Sequence, residues 1–480
     1  MTAPRRATFK KLSLVILVSA IILFSITSFS AGTLSSQGIP TNGIWPYYQT
    51  DSALNNAGRS YSPNIATPSM STSRAPSPRN ERVLVLRAQF ADEPFGNINT
   101  MRTLFVNSVE AYYYNVSYGQ VYMNTTFVSN NYTMTYNEAY YSANIENLVS
   151  EVLTDANSDV ATLGGYSAFK HIIIVHSGTD YAVTHASTDI GSEFVFSGEK
   201  GQPLVTIPPY SIMNACVVSQ YDPLGVIVHE LGHSQGLPDL YSYQAEHVEP
   251  PTSDPFVGAW DLMATGAWNP NGQGTVPSEL SVWCKIQLHW ISSTQIVNIS
   301  QSDVQSGVNK TVFLDPQELP GQNLAIRILL SNGTYFLLED RQQIAYDAAI
   351  PASGVLIWFC NDSEPSGYGP ARVVSAHPPD LGSDAAFNVG FFANDFYGNP
   401  ILNIGVKVLN RFSNGTFKVL VGQYNSVYNT PTEYKDMTIP VIFGVAIIAV
   451  LSAVSVIVYI KKGRRSTKVN SQEPTVIRIS

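Results

Sequence analysis

Residues 229–241 read HELGHSQGLPDLY, and the fold and chemistry of the chain turn on what this stretch is. In a helix of 3.6 residues per turn His229 and His233 stand one turn apart on one face, so their imidazoles can converge on a cation, with Glu230 beside them. The segment is bounded like a short helix: Asp222 and Pro223 are the expected N-cap and first helical residue, and Gly236 the expected stop. A polar stripe on a helix would show the same two histidines. What favours a metal site is the turn that follows: Gly236 lets the chain reverse and Pro238 stops the helix continuing, which can return Asp239 to the cation. Zinc suits such a set, because it accepts neutral imidazole and carboxylate oxygen and keeps a position for water, whose pKa it lowers to about 7. Glu230 is then the expected general base. His247, in the acidic loop AEHVEP, is the rival third ligand.

Before this motif the chain alternates between strand and helix patterns. RVLVLRAQF (82–90) and FKHIIIVHSG (169–178) are too apolar and β-branched for loops, while TMRTLFVNSVEAYYYNVSYGQ and NIENLVSEVLTDAN support helices. This implies an α/β layer leading to the metal motif. After about residue 293 short alternating segments take over, among them TVFLDP, LAIRILL, TYFLLED, GVLIWFC and TFKVLVG, which predict a separate β-sandwich-like domain.

The ends differ from the middle. Of 27 Lys and Arg, ten lie in residues 1–30 or 439–480, with one of the 36 acids; 17 cations against 35 acids leave residues 31–438 with a formal charge of -18. Such a surface disfavours nucleic acid as a partner. The apolar run 12–29 after a basic start predicts a secretory signal ending near Ser30, with an uncleaved anchor as the alternative. Residues 439–460 contain no charge and are long enough for one transmembrane helix, and the KKGRR after them is expected to stay cytoplasmic. The expected layout is a signal peptide (1–30), a Ser/Pro/Asn-rich linker or pro-segment (31–80), a catalytic domain (81–292), a β-rich domain (293–422), a stalk (423–438), the C-terminal span (439–460) and a cytoplasmic tail (461–480). It places the protein in the cell membrane as a single-pass protein with its catalytic domain outside. Three cysteines are too few and too odd in number for a disulfide framework. Eight Asn-x-Ser/Thr sequons, starting at Asn115, Asn124, Asn131, Asn298, Asn309, Asn332, Asn361 and Asn414, permit glycosylation.

On these residues the sequence resembles the immune inhibitor A family of secreted zinc metallopeptidases, related to the metzincins. HELGHSQGLPDLY is similar to that family's HExxHxxGxPDxY motif at His229, Glu230, His233, Gly236, Pro238, Asp239 and Tyr241. VGAWDLMATGAWN (257–269) resembles the segment that carries the methionine turn, with Met263 in that place. YGQVYMN, IIIVHSG, PSELSVWCKIQLHWI and YFLLEDRQQIAYDAAIPASGVLIW resemble further stretches, so the likeness runs from about residue 82 to 360. It implies a metzincin-like zinc endopeptidase acting on extracellular proteins or peptides, often with structural calcium. Carried over, His229, His233 and Asp239 are the expected zinc ligands, Glu230 the base and Met263 the floor. The MATGAW turn has no tyrosine to assist an oxyanion, which leaves Tyr241 as the candidate.

The other chemistry-bearing residues read as structural. His171 and His176 flank an apolar strand, Tyr112, Tyr113 and Tyr114 suit a packed helix face, and Asp254 and Asp261 are either calcium ligands or turn caps. Two function classes remain open on the sequence: a membrane-anchored zinc endopeptidase, or a catalytically inactive surface binding or adhesion protein that keeps the peptidase fold. Glu230 separates them, since a binding module needs no base beside two ligands.

Overall fold

The computed structural model describes residues 78–197, 201–244, 254–382, 384–389 and 394–433. The two apolar runs before the metal motif form β1 (Arg79–Gln89) and, after β2 (Val121–Phe127) and the short β3 (Tyr132–Thr133), β4 (His171–His176). Then come β5 (Glu193–Phe196), a two-stranded ribbon of β6 (Val205–Ile207) and β7 (Tyr210–Ile212), and β8 (Asn214–Ser219). One sheet runs β2–β1–β4–β8–β5, with β3 also beside β1. Its pairs are parallel except β5 on β8, which is antiparallel and forms one edge.

Side chains alternate across this sheet and both sides are covered. Val83, Val85, Ile173, Val175, Cys216 and Val218 bury with the helices Glu110–Val116 and Leu224–Ser234, while Leu84, Leu86, Ile172, Ile174, Ala215 and Val217 bury with the helix Ile145–Asp155. Burial on both faces is why these strands read as continuous apolar runs. The helical stretch expected after residue 100 is Ile98–Leu104, a π-helical turn at Phe105–Val109, and Glu110–Val116.

The later segments form β9 (Ile296–Ser300), β10 (Lys310–Leu314), β11 (Ala325–Leu329), β12 (Tyr335–Arg341), β13 (Gly354–Cys360), β14 (Ala371–Val374), β15 (Phe396–Asn399), β16 (Ile404–Arg411) and β17 (Phe417–Gly422). They make a five-stranded sheet, β14–β13–β12–β11–β9, and a four-stranded one, β10–β17–β16–β15. Phe336, Leu338, Val355 and Ile357 of the first pack against Val406, Val408, Val419 and Val421 of the second. The opposite face of β12 and β13, with Leu337, Leu356 and Trp358, belongs to the same core as the metal helix.

This corrects the expected fold class. In place of an α/β metzincin-like domain followed by a separate β-sandwich-like domain, the described residues form a mixed α/β structure with several sheets, and one continuous core crosses residue 292. Strand periodicity in β12 and β13 could not show that one of their faces meets the metal-bearing half.

The transmembrane expectation is corrected as well. Among the described residues no helix is long and apolar enough to cross a membrane; the longest have 11 residues, against the roughly 20 that a hydrocarbon core requires. A single C-terminal span and single-pass membrane localisation are therefore not supported. Residues 1–77 and 434–480, with the expected signal, span and tail, lie outside the described residues. Residues 423–433, expected as part of a stalk, include the helix Tyr424–Tyr428, whose Val427 packs on Leu409 and Leu420.

Candidate metal centre

The metal motif begins on the helix Leu224–Ser234, which follows β8. Its N-cap is Pro223 and not the expected Asp222. The Asp222 carboxylate turns back instead to accept the Ser219 N–H (2.8 Å) and the Ser192 hydroxyl, fixing the end of β8. In the first turn the Gly225 N–H donates to the Gly274 carbonyl (2.8 Å), and a Cβ on Gly225 would lie 1.8 Å from the Ala267 oxygen, so the 264–274 loop can lie directly on the helix. At the far end Gly236 has φ 103°. The Gly236 N–H donates to His233 O (2.8 Å) and the Leu237 N–H to Gly232 O (3.1 Å), the two bonds of a Schellman motif. This turn aims the Leu237 carbonyl at His233 and brings Asp239 opposite the two histidines.

Three donors meet there. His229 Nε2 and His233 Nε2 are 3.2 Å apart, and Asp239 Oδ1 is 3.2 Å from each. A tetrahedral ion with bonds of about 2.0 Å has ligand–ligand edges of about 3.3 Å, so the triangle fits zinc. The other ring nitrogens are already used: His229 Nδ1 donates to Leu262 O (2.9 Å) and His233 Nδ1 to Leu237 O (2.8 Å). A carbonyl can only accept, so each neutral ring carries its proton on Nδ1 and turns the Nε2 lone pair to the common centre. Asp239 Oδ1 is buried, and apart from its 3.2 Å approach to the two imidazoles it has no hydrogen-bond partner among the described residues. Among those residues this is the one group of three or more His, Cys, Asp or Glu side chains placed to hold a metal ion.

The electrostatics also suit a cation. Burial, the largest influence, would lower both imidazole pKa values, but the Asp239 carboxylate outweighs it and raises them. Burial would likewise raise Asp239, yet the two histidines hold it far below the usual carboxylate range. Glu230 is pushed up to about 8, first by burial and further by Asp239, Glu193 and Asp180, with His229 pulling the other way. Its Oε2 is buried and has no hydrogen-bond partner among the described residues.

Met263 is fully buried under the helix, and a Cβ on Gly232 would fall 2.5 Å from its Sδ. Its carbonyl accepts the Leu240 N–H (2.8 Å), tying the residue directly after Asp239 to the 261–264 turn. Asp261 holds that turn by accepting the N–H groups of Met263 and Ser281, both at 2.7 Å. Asp254 accepts from the N–H groups of Ser242, Phe256, Val257 and Gly258. Both carboxylates thus act as backbone caps, and calcium is not shown. The Tyr241 ring stacks beside His229, with centroids 6.4 Å apart. His247 lies outside the described residues. Cys216, Cys284 and Cys360 are buried free thiols. Tyr112 and Tyr113 bury their rings and donate to Ser278 O and Val228 O, whereas Tyr114 is exposed.

The residues that sequence reasoning missed are Tyr243 and Ser366, which touch the Asp239 carboxylate. Tyr243 could have been noticed two positions after Tyr241. Ser366 carries no local signal.

Residues 164–291 match the immune inhibitor A peptidase M6 catalytic domain. The resemblance to the immune inhibitor A family is thereby shown for this part of the chain. The pre-pro-metalloprotease PrtV of Vibrio cholerae serotype O1 is 37% identical over 78 residues, which are 15% of this chain and 8% of PrtV. Immune inhibitor A of Bacillus thuringiensis subsp. alesti is 24% identical over 179 residues, 34% of this chain and 25% of that protein. The chain therefore spans a quarter or less of the length of these curated relatives. A crystal structure of OgpA from Akkermansia muciniphila aligns over 76% of this chain and 98% of its own at 10% identity, but a TM-score of 0.25 is too low to show a shared fold. Within the family match lie β4, β5, β8, the metal helix, Asp239 and Met263; β1, β2 and the whole five-stranded sheet lie outside it.

Proposed function

We propose that this protein is a zinc-dependent endopeptidase that hydrolyses peptide bonds in proteins or peptides, with His229, His233 and Asp239 as the metal ligands and Glu230 as general base. The observation that carries this reading is the 3.2 Å triangle of donors with the unpartnered Glu230 Oε2 on the same helix. The match to the immune inhibitor A catalytic domain supports the metalloprotease class. A bound zinc would lower the pKa of a water to about 7 and polarise the scissile carbonyl. The chain's own residues do the rest. Leu262 O and Leu237 O keep the two imidazoles in the tautomer that offers Nε2. Glu230 takes a proton at its free Oε2 from the attacking water and delivers it to the leaving nitrogen. Met263 and Leu240 hold the floor on which the third ligand rests.

An inactive binding protein is the less favoured reading. A buried carboxylate oxygen without a hydrogen bond costs about 1–3 kcal/mol, and binding alone gives no reason to keep it. The test is Glu230→Gln in the full chain, with zinc content and cleavage of a fluorogenic casein measured together. The variant should keep one zinc per chain and lose about 10²- to 10⁴-fold in cleavage. Cleavage at the parent rate would overturn the assignment.

A further inference from the structure

We propose that Tyr243 and Ser366 are positioning residues for the third ligand, joined with Asp239 in a closed ring of hydrogen bonds that leaves one carboxylate oxygen for the metal. This rests on the zinc-site reading above. The Tyr243 hydroxyl lies 2.6 Å from Asp239 Oδ2, Ser366 Oγ lies 2.8 Å from the Tyr243 oxygen, and the Asp239 N–H donates to Ser366 Oγ at 2.9 Å. Each hydroxyl has one proton to give. The assignment in which none is wasted runs from Asp239 N–H to Ser366 Oγ, from the Ser366 hydroxyl to the Tyr243 oxygen, and from the Tyr243 hydroxyl to Asp239 Oδ2. Hydrogen bonds linked head to tail polarise one another and hold their members more firmly than separate pairs. The 3.4 Å approach of Ser366 Oγ to Oδ2 is longer and secondary.

The backbone builds the same device. The Gly367 N–H donates to Asp239 O (3.1 Å) and the Tyr243 N–H to Gly367 O (3.2 Å), so the turn between β13 and β14 is laced to both residues. Gly367 has φ 76°, and a Cβ there would lie 2.2 Å from Tyr243 Cδ2. The Tyr243 ring therefore occupies the space that a side chain at 367 would take. Asp239 and Ser366 are 7% and 4% exposed, so water competes little for the ring. The outcome is an asymmetric carboxylate: Oδ2 is bound by the phenol, and Oδ1 faces the two imidazoles as a single-oxygen donor. Ser366 and Gly367 lie outside the family match at 164–291, so the β-rich part of the chain completes the metal site.

The experiment compares the full chain with its Tyr243→Phe, Ser366→Ala and Ser366→Thr variants by two readouts that do not need activity. One is zinc affinity by competition with a chromophoric chelator; the other is the visible absorption of the cobalt(II)-loaded protein, which weakens as coordination number rises. Tyr243→Phe and Ser366→Ala should bind zinc about 10- to 100-fold more weakly and show altered cobalt spectra, as expected when an outer partner of a ligand is lost. Ser366→Thr, which keeps the hydroxyl, should restore both. Parent-like affinity and spectrum in Tyr243→Phe and Ser366→Ala would overturn the proposal while leaving the zinc site intact. Weak binding in all three variants with a parent-like cobalt spectrum would also overturn it, pointing to general loosening. Failure of the parent chain to bind zinc would bring down the zinc-site reading itself.

Discussion

The contact between Gly232 and Met263 gives a sharp test of how the motif is packed. A Cβ added at Gly232 would sit 2.5 Å from Met263 Sδ, where ordinary contact is 3.4–4 Å, so roughly 1 Å of overlap must be relieved inside a fully buried site. Overpacking of this kind costs about 1–3 kcal/mol. The same change removes a glycine from a helix interior, which returns about 1 kcal/mol. Gly232→Ala should therefore range from neutral to destabilising by about 2 kcal/mol. Met263→Ala alone should cost about 2–5 kcal/mol, because it empties a buried volume. In the M263A background the obstacle is gone, so Gly232→Ala should become stabilising by up to about 1 kcal/mol. Urea unfolding of the four proteins at neutral pH measures this cycle, with zinc content as a check that the site survives. If Gly232→Ala shifts stability by the same amount with and without Met263, the contact does not set the packing and the reasoning fails.

Three further outcomes follow from buried charge. Burial would raise Glu81, but hydrogen bonds from His171, Lys170 and Gln235 hold it down to about 2, against an ordinary 4.5. A lowered acid stabilises the fold above its unfolded pKa, and this contribution disappears as pH falls from about 4.5 to about 2; since Lys170 is half-exposed, it is on the order of 2 kcal/mol. Glu81→Gln should thus be destabilising at pH 7 with a difference that shrinks below pH 4.5, and a pH-independent difference in urea unfolding would count against the pairing. Arg341 is buried among Asp347 (2.8 Å), Glu339 (3.1 Å) and the Trp260 carbonyl (2.8 Å). Arg341→Met strands these acids and should cost about 3–5 kcal/mol in the same assay, a loss below about 1 kcal/mol being the contrary result. Finally, Asp239→Ala should lose most of its zinc by direct metal analysis while His247→Ala keeps it; the reverse pattern would make His247 the third ligand.

Much of the site was legible because it is local. His229, Glu230 and His233 share one helix, and the Gly236 turn that returns Asp239 follows within six residues, so spacing and turn chemistry sufficed to bring them together. The helix start was misjudged by one residue, because Asp222 found partners at Ser219 and Ser192 that outweigh capping. Asp254 and Asp261 could be read as calcium ligands only while their backbone partners were unseen. The expected fold class, an α/β domain followed by a separate β-sandwich-like one, failed for a related reason. The apolar runs of β12 and β13 fit burial on both faces, but nothing local says that Leu337 and Trp358 meet the core of the metal helix.

The sequence by itself determined that His229, His233 and Asp239 come together beside Glu230, the turn between them and the apolar strands beneath, since each depends on periodicity or on glycine and proline within a dozen residues. Tertiary structure alone decided what holds those groups in place: the Leu262 carbonyl on His229, Met263 under Gly232, and the Ser366–Tyr243 ring on Asp239. Ser366 lies 127 residues from Asp239 along the chain. No local pattern encodes such a contact. It exists because the five-stranded sheet shares a core with the metal helix, and that shared burial sets where the turn after β13 must lie.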